Sequence, residues 1–319
     1  MTSDAAIHLE GVTKRFGEHT AVHDLHMHIP RGCIYGLLGP NGSGKTTTLR
    51  MIMGILHPDE GTVSLLGGDP DEVRRRRVGY LPEERGVYRK MKVLEQLEFL
   101  GEIRGLERKD AARRAGEWLD RLGLGDWKAK KVEDLSKGMQ QKVQFIATVI
   151  HEPDLLILDE PFSGLDPINQ DVLEDIVREF HRHGTTILFS THLMAQAEQL
   201  CERVCLISKA EKVLDGTLKD LKARDREGVV AVTFDGPARW LEGPEVAAIE
   251  RADGGVHVLL QEGGDHQAIL RRGVASGAVI TRFELVEPSL HEIFVRHAGE
   301  EAVGDAGLPQ DYRMEEEVS

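Results

Sequence analysis

The sequence predicts an α/β core followed by a small α+β domain. A glycine-rich loop stands between an apolar, strand-like run, Ile34–Leu38, and a run with apolar residues at helical spacing, Leu49–Leu56. Further along, the apolar run Leu155–Leu158 ends in two carboxylates, Asp159 and Glu160, as a buried parallel strand would. From about residue 227 the pattern changes to short alternating strands with two helical stretches.

The glycine-rich loop matches the pattern G-x-x-x-x-G-K-[ST] of a phosphate-binding loop. Its residues are Gly39, Pro40, Asn41, Gly42, Ser43, Gly44, Lys45, Thr46 and Thr47. Glycines let successive backbone N–H groups approach phosphate oxygens, and the following helix adds a partial positive charge. Lys45 is expected to reach the β- and γ-phosphates, and the Thr46 hydroxyl to hold Mg²⁺. A turn that matches by chance is the alternative, but the strand–loop–helix context favours nucleoside triphosphate binding.

The acidic strand end and a later histidine supply the chemistry that phosphoryl transfer needs. Asp159 is expected to hold the metal through water, and Glu160 to orient or deprotonate the attacking water. His192 follows the β run Thr185–Ser190 and is expected to touch both the γ-phosphate and that water. Each signal is weak in isolation, but in this order the three indicate a P-loop NTPase that hydrolyses its nucleotide.

The remaining elements follow from periodicity and from turn residues. Residues from about 87 to 150 carry helical spacing and predict a helical insert between the phosphate loop and the acidic strand. Within the insert, Ser136 is expected to cap a helix that runs to Ile150, leaving exposed N–H groups as a second anion site. Strands are expected at Ile7–Phe16, Ala21–Ile29, Thr62–Leu66, Arg203–Ser208, Val213–Leu214, Val229–Phe234, Val256–Gln261 and Val279–Val286, and helices at His266–Val274 and Ser289–Arg296.

Length and charge bound the possible functions. At about 150 residues per domain, the 319 residues predict two domains. The formal net charge of −14 argues against broad binding to nucleic acid or to anionic membranes. Residues 299–319 carry seven acidic side chains against one arginine, and we expect them to form a disordered acidic tail.

Cellular location is suggested by the cysteines and by the lack of long apolar runs. Cys33, Cys201 and Cys205 lie in apolar runs without a signal peptide, which predicts buried free thiols in a reducing cytosol. No apolar run approaches the roughly 18 residues that a membrane span requires. A separate chain would therefore supply the membrane part of any membrane function.

Five motifs, in one order over residues 7–220, resemble the ATP-binding subunits of ABC transporters. They are the phosphate loop Gly39–Thr46, the signature-like Leu135–Met139, the acidic strand Leu155–Glu160, the D-loop-like turn Ser163–Asp166 and the switch histidine His192. The resemblance implies an ABC-type ATP-binding domain at 1–224, with ATP and Mg²⁺ as cofactors. The segment 227–298 is similar to the appended C-terminal domain of an exporter subgroup that includes sodium-extrusion systems.

The resemblance also implies roles for residues that local chemistry leaves open. Phe16 would stack on adenine, whereas the sequence alone leaves a plain core aromatic equally open. Ser136 and Gly138 would contact the γ-phosphate bound by the opposite subunit, with Asp166 in the neighbouring D-loop. Glu83 stands where the family usually has glutamine and could reach Mg²⁺ or water. Lys137 and Met139 stand where the signature commonly has glycine and glutamine.

The predicted function is that of an ATP-hydrolysing subunit that drives a separate membrane permease, with export as the direction. Two such chains, identical or different, would close around two ATP molecules at the inner face of the cell membrane. The alternative is a soluble ABC-type ATPase acting on nucleic acid or ribosomes. The acidic charge, the single cassette and the lack of a long coiled-coil insert argue against this alternative, and no nucleic-acid partner is expected.

Overall fold

The computed structural model describes residues 4–83, 86, 88–226, 228–252, 254–261 and 263–299. Except for Gly299, the predicted acidic tail lies outside these residues. The chain forms two compact units; the second comprises Leu218–Arg296, and the first comprises the residues before Leu218 together with those from His297 onward. Within the described residues, no helix is long and apolar enough to cross a membrane.

The first unit contains nine of the strands and seven of the α-helices described. Its strands are β1 (Ala5–Phe16), β2 (His19–Pro30), β3 (Ile34–Leu38), β4 (Glu60–Leu65), β5 (Val78–Leu81), β6 (Leu155–Asp159), β7 (Thr186–Thr191), β8 (Arg203–Ser208) and β9 (Glu211–Thr217). Its helices are α1 (Lys45–Ile52), α2 (Glu72–Arg75), α3 (Val93–Ile103), α4 (Arg108–Arg121), α5 (Lys137–Val149), α6 (Pro167–Arg182) and α7 (Met194–Leu200).

The main sheet of this unit has the strand order β5-β6-β7-β3-β8-β9. The first five strands of this order, from β5 through β3 to β8, run parallel to one another. Strand β9 pairs antiparallel with β8 at the edge of the sheet. Strand β7 lies between β6 and β3, with Asp159 opposite Ser190 and Leu38 opposite Thr191. Because parallel strands end at the same edge of a sheet, this order brings three strand ends together, as at the ligand crevice of open α/β sheets.

A second, antiparallel sheet with the order β2-β1-β4 packs on the main sheet through apolar side chains. Alternation along β2 places Leu25, Met27 and Ile29 in the core, while the histidines between them point outward. The core also takes in Tyr35 and Leu37, which lie on one face of β3, the strand that leads into the phosphate loop. The three predicted thiols, Cys33, Cys201 and Cys205, are free and buried.

Helices α3 to α5 form the insert between β5 and β6, where helical periodicity predicts it. Helix α4 buries Ala111, Ala115 and Leu119, which lie at i, i+4 and i+8 along one face. Ser136 caps α5, and its hydroxyl accepts a hydrogen bond of 3.3 Å from the backbone N–H of Met139.

The second unit is a four-stranded antiparallel sheet, ordered β11-β12-β10-β13, with short helices. Its elements are α8 (Leu218–Arg224), β10 (Val229–Asp235), β11 (Val246–Ala252), β12 (Gly255–Leu260), α9 (His266–Ala275), β13 (Val279–Leu285) and α10 (Leu290–Ala298). Val230, Val232 and Val258 form its core with Trp240 and Ile269. Strand β11 was not predicted, because it is an edge strand whose central residues are all exposed and do not alternate.

Candidate nucleotide-binding site

The phosphate loop connects β3 to α1 and adopts a backbone that only glycine tolerates at two points. Gly39 has φ 152° and Gly44 has φ 109°. A Cβ at Gly39 would lie 2.1 Å from Ile207 O, and one at Gly44 would lie 2.3 Å from Ala21 O. Any side chain would therefore collide with backbone, and the loop is held against its neighbours in the curved form that exposes N–H groups.

Lys45 is buried beneath this loop, with only 6% of the residue exposed. Its Nζ donates hydrogen bonds to Gly39 O at 2.8 Å and to Pro40 O at 3.1 Å, and it lies 3.9 Å from Glu160 Oε1. Burial lowers the pKa of the Lys45 ammonium, and the carboxylates of Glu160, Asp159 and Glu83 oppose that shift. The lysine thus shapes the loop and keeps a cation beside the acidic strand end.

A cleft of about 380 Å³ opens beside the loop, and Phe16, Glu83 and Glu160 are among the residues that line it. Asn41, Gly42, Gly44, Lys45, Thr46 and Thr47 also line it. The ring of Phe16 is half exposed, with Lys14 Nζ 5.6 Å from its centroid. An exposed aromatic at the cleft suits stacking on a base better than it suits a core position.

His19 and Ala21 also line the cleft but do not stand out as site residues in the sequence. His19 is the first residue of β2, after the turn at Gly17 and Glu18, and its position next to the loop depends on the packing of that strand. No local pattern could have identified it.

The two carboxylates at the end of β6 lie in different environments. Asp159 is buried; its Oδ1 accepts a hydrogen bond from the Ser190 hydroxyl, and its Oδ2 is buried with no partner among the described residues. Glu160 has a left-handed backbone, φ 47°, and its Oε1 lies 2.9 Å from His192 Nδ1. His192 is therefore placed to orient Glu160, and its other ring nitrogen is free to take part in a second contact.

The residues present fit a Mg²⁺ ion bound together with a nucleotide. Such ions are held by one or two carboxylates or hydroxyls together with phosphate oxygens and water, not by an all-protein cage. Thr46 and Glu83 line the cleft and offer those groups. Asp159 is not among the described lining residues; it is buried at the end of β6, and its unpartnered Oδ2 is the kind of orphaned oxygen that a bound group would satisfy. In the described part of the chain, no cluster of three or more His, Cys, Asp or Glu forms a metal site by itself.

Ser136, Gly138 and Asp166 do not line this cleft among the described residues. Ser136 caps α5, and Asp166 caps α6 by accepting a hydrogen bond of 3.0 Å from Asn169 N. That backbone N–H, with the Asn169 side chain, lowers the pKa of the Asp166 carboxyl. Ser136 and Asp166, at the two helix starts, are exposed, and the second anion site expected at α5 is separate from the described lining of the cleft.

A phosphate loop on a parallel sheet, with an acidic strand end and a histidine beside it, defines a P-loop nucleoside triphosphatase. Residues 22–163 match the family described as ABC transporter, and residues 216–298 match the ATP-binding protein DrrA1-3-like C-terminal domain.

Similar proteins and structures extend that match over most of the chain. The ABC transporter ATP-binding protein YhaQ of Bacillus subtilis is 44% identical, over 91% of this chain and 98% of its own length. The daunorubicin/doxorubicin resistance ATP-binding protein DrrA of Streptomyces peucetius is 32% identical, over 98% of this chain and 96% of its own. A solved structure of the ATP-binding subunit of an ABC transporter superposes with a TM-score of 0.65 at 30% identity, over 69% of this chain and 92% of that one.

The chain belongs to the family of ABC transporter ATP-binding proteins. It binds and hydrolyses ATP, and it works with the membrane components of a transporter. The predicted fold class, family and enzymatic activity are confirmed, and the alternative of an ATPase acting on nucleic acid or ribosomes is not favoured.

Proposed function

We propose that two such chains, or this chain and a second ATPase chain, close around two ATP molecules and drive an exporter permease. The resistance protein DrrA and the matched C-terminal domain support export as the direction. The permease would hold the chain at the inner face of the cell membrane. Residues 1–224 would form the ATP-binding domain, with the insert at about 87–150, and residues 227–298 an accessory domain.

The contact between Glu160 and His192 beside the buried Lys45 carries the proposal for the site. With ATP in the cleft, Lys45 and the loop N–H groups would hold the β- and γ-phosphates, and Phe16 would stack on adenine. Glu160 would take the proton of the attacking water, and His192 would hold Glu160 in place and contact the γ-phosphate. Mg²⁺, when bound by Thr46, Asp159 and Glu83, would neutralise charge that develops on the phosphate oxygens.

The second half of each site would come from the partner chain. Ser136 and Gly138 start α5 and would offer backbone N–H groups and a hydroxyl to the γ-phosphate held by the opposite loop. Asp166 would stand beside them, since a Cβ at Gly138 would lie 3.8 Å from Leu165 Cδ2 in the turn that leads to Asp166. The exposure of both helix starts supports this arrangement.

The substitution Glu160→Gln tests the assignment. It retains the shape and the contact with His192 but removes the base, so we expect ATP binding to persist and hydrolysis to fall by about 10²- to 10⁴-fold. Steady-state phosphate release measures the rate, and gel filtration with ATP should reveal an accumulated dimer. Turnover near the wild-type rate would refute Glu160 as the base.

A further inference from the structure

Ser190, on β7, contacts both carboxylate residues at the end of the neighbouring strand β6. Its hydroxyl is hydrogen bonded to Asp159 Oδ1 and lies 3.3 Å from the backbone N of Glu160. The Ser190 carbonyl accepts a second hydrogen bond, of 3.2 Å, from that same Glu160 N–H. The residue is fully buried, so water cannot replace any of these contacts.

The direction of the hydrogen bonds at this hydroxyl follows from its partners. A serine hydroxyl donates one hydrogen and accepts through its lone pairs. Glu160 N–H can only donate, so the Ser190 oxygen accepts in that contact. The single Ser190 hydrogen is therefore left for Asp159 Oδ1, which accepts it.

This hydrogen bond decides which way the Asp159 carboxylate faces. Among the described residues, Ser190 is the hydrogen-bond partner of Oδ1, while Oδ2 is buried and has none. Oδ2 is then left as the oxygen that can act in the site. A buried carboxylate oxygen without a partner is costly and is kept in place only when its surroundings hold it.

The same side chain supports the unusual backbone of Glu160. A non-glycine residue at φ 47° is strained by about 1–2 kcal/mol, and Glu160 adopts that value between the acidic strand and the following turn. Its N–H remains bonded to the Ser190 carbonyl whether or not the hydroxyl is present. Loss of the hydroxyl would therefore affect Asp159 more than Glu160.

We propose that Ser190 is a positioning residue that aligns Asp159 for the metal–nucleotide complex. The proposal rests on the proposed role of Asp159 in that complex. Outer hydrogen-bond partners of a metal ligand typically change metal affinity by about 10- to 100-fold when they are removed. Ser190 occupies that place for Asp159, and it does so from a different strand.

The test is the Mg²⁺ dependence of nucleotide binding in Ser190→Ala, measured with a non-hydrolysable, fluorescent ATP analogue. We expect the analogue to bind the full-length variant as it binds wild type when EDTA is present. The Mg²⁺ concentration that gives half of the metal-dependent gain in affinity should rise by about 10- to 100-fold. Ser190→Cys, whose slightly larger side chain keeps a weak donor at this position, should fall between the two.

Thr186→Val is the matched control. Thr186 lies at the other end of β7, is buried, and its hydroxyl accepts a hydrogen bond of 2.9 Å from Gly32 N. Its replacement removes one buried hydroxyl from the same strand, away from both carboxylates. Its Mg²⁺ titration should match that of wild type, and circular dichroism should report a folded chain for all three variants.

Two outcomes would overturn the proposal. One is a Mg²⁺ titration of Ser190→Ala that superposes on wild type; the other is an equal displacement in Thr186→Val, which would indicate a general effect of strand stability. Because the analogue is not hydrolysed, either result is independent of whether Glu160 is the base. If Ser190→Ala does not fold, the Ser190→Cys titration decides alone.

Discussion

At the scale of single residues, the charge of the Lys45 ammonium is subject to two opposing effects. Burial disfavours its charge, while three carboxylates and two loop carbonyls favour it. The ammonium therefore enters the complex already desolvated, with little reorganisation left when phosphate replaces a carbonyl.

Lys45→Ala should weaken ATP binding by about 10- to 100-fold, since a hydrogen bond to a charged group contributes about 1.5–3 kcal/mol. Equilibrium binding of a fluorescent ATP analogue measures the loss. Lys109→Ala, at an exposed position of α4, is the control and should bind as wild type does. Unchanged affinity in Lys45→Ala would contradict the predicted role of the loop.

His151, just after α5, predicts a pH dependence of stability. Burial, together with the nearby Arg104 and Arg114 guanidinium groups, lowers its pKa from 6.5 to about 4. Between these two values the unfolded chain binds a proton that the folded chain does not. Stability is therefore complete above about pH 6.5 and is lost as the pH falls towards 4.

For His151 this difference amounts to about 2 kcal/mol between pH 8 and pH 5. Urea unfolding of wild type and His151→Gln at both pH values measures it. The variant should lose about 2 kcal/mol less than wild type on acidification, because the other titrating groups are common to both chains. Equal losses in the two proteins would show that His151 is not the group responsible.

At the scale of elements, substitutions of Ser136 at the start of α5 can distinguish its role as a helix cap from its proposed role in the nucleotide site. Ser136 caps the helix, and aspartate is an equally good capping residue. Ser136→Asp should therefore keep the stability of the insert, whereas Ser136→Ala should lose about 1 kcal/mol.

For ATPase activity we expect the reverse order: Ser136→Asp should lose more activity than Ser136→Ala. A carboxylate at position 136 would face the γ-phosphate of the partner's ATP, and like-charge contacts cost several kcal/mol, so Ser136→Asp should lower ATPase activity by about 10²-fold or more. Ser136→Ala should lose less. Thermal unfolding and phosphate release measure the two effects, and an active Ser136→Asp would argue against a site shared between chains.

At the scale of the whole molecule, the second unit carries its own core and sheet but no catalytic constellation among its described residues. A domain of this kind on each chain of a symmetric pair can meet its copy across the two-fold axis. We expect it to keep two ATPase chains near each other between cycles.

A chain that ends at Thr217 should bind nucleotide as the full-length chain does. Its ATPase activity per chain should depend more steeply on protein concentration, because tethering raises the effective concentration of the partner. Phosphate release across a dilution series measures this. Equal specific activity for both chains at every dilution would leave the second unit a passive domain.

The sequence by itself determined the phosphate loop, the acidic strand and most of the helices. These features depend on residues that are neighbours in the chain. Gly39 to Thr46 form one loop of consecutive residues. The buried face of α4 is indicated by Ala111, Ala115 and Leu119 at helical spacing. Five such motifs in one order were also enough to indicate the family.

Only the tertiary structure decided which of these features meet. Asp159 and Ser190 are 31 residues apart, and they touch because β6 and β7 pair in the sheet order β5-β6-β7-β3-β8-β9. The same order brings His192 to Glu160 and Glu160 to Lys45. No local spacing encodes these contacts, since strand order is a property of how the whole core packs.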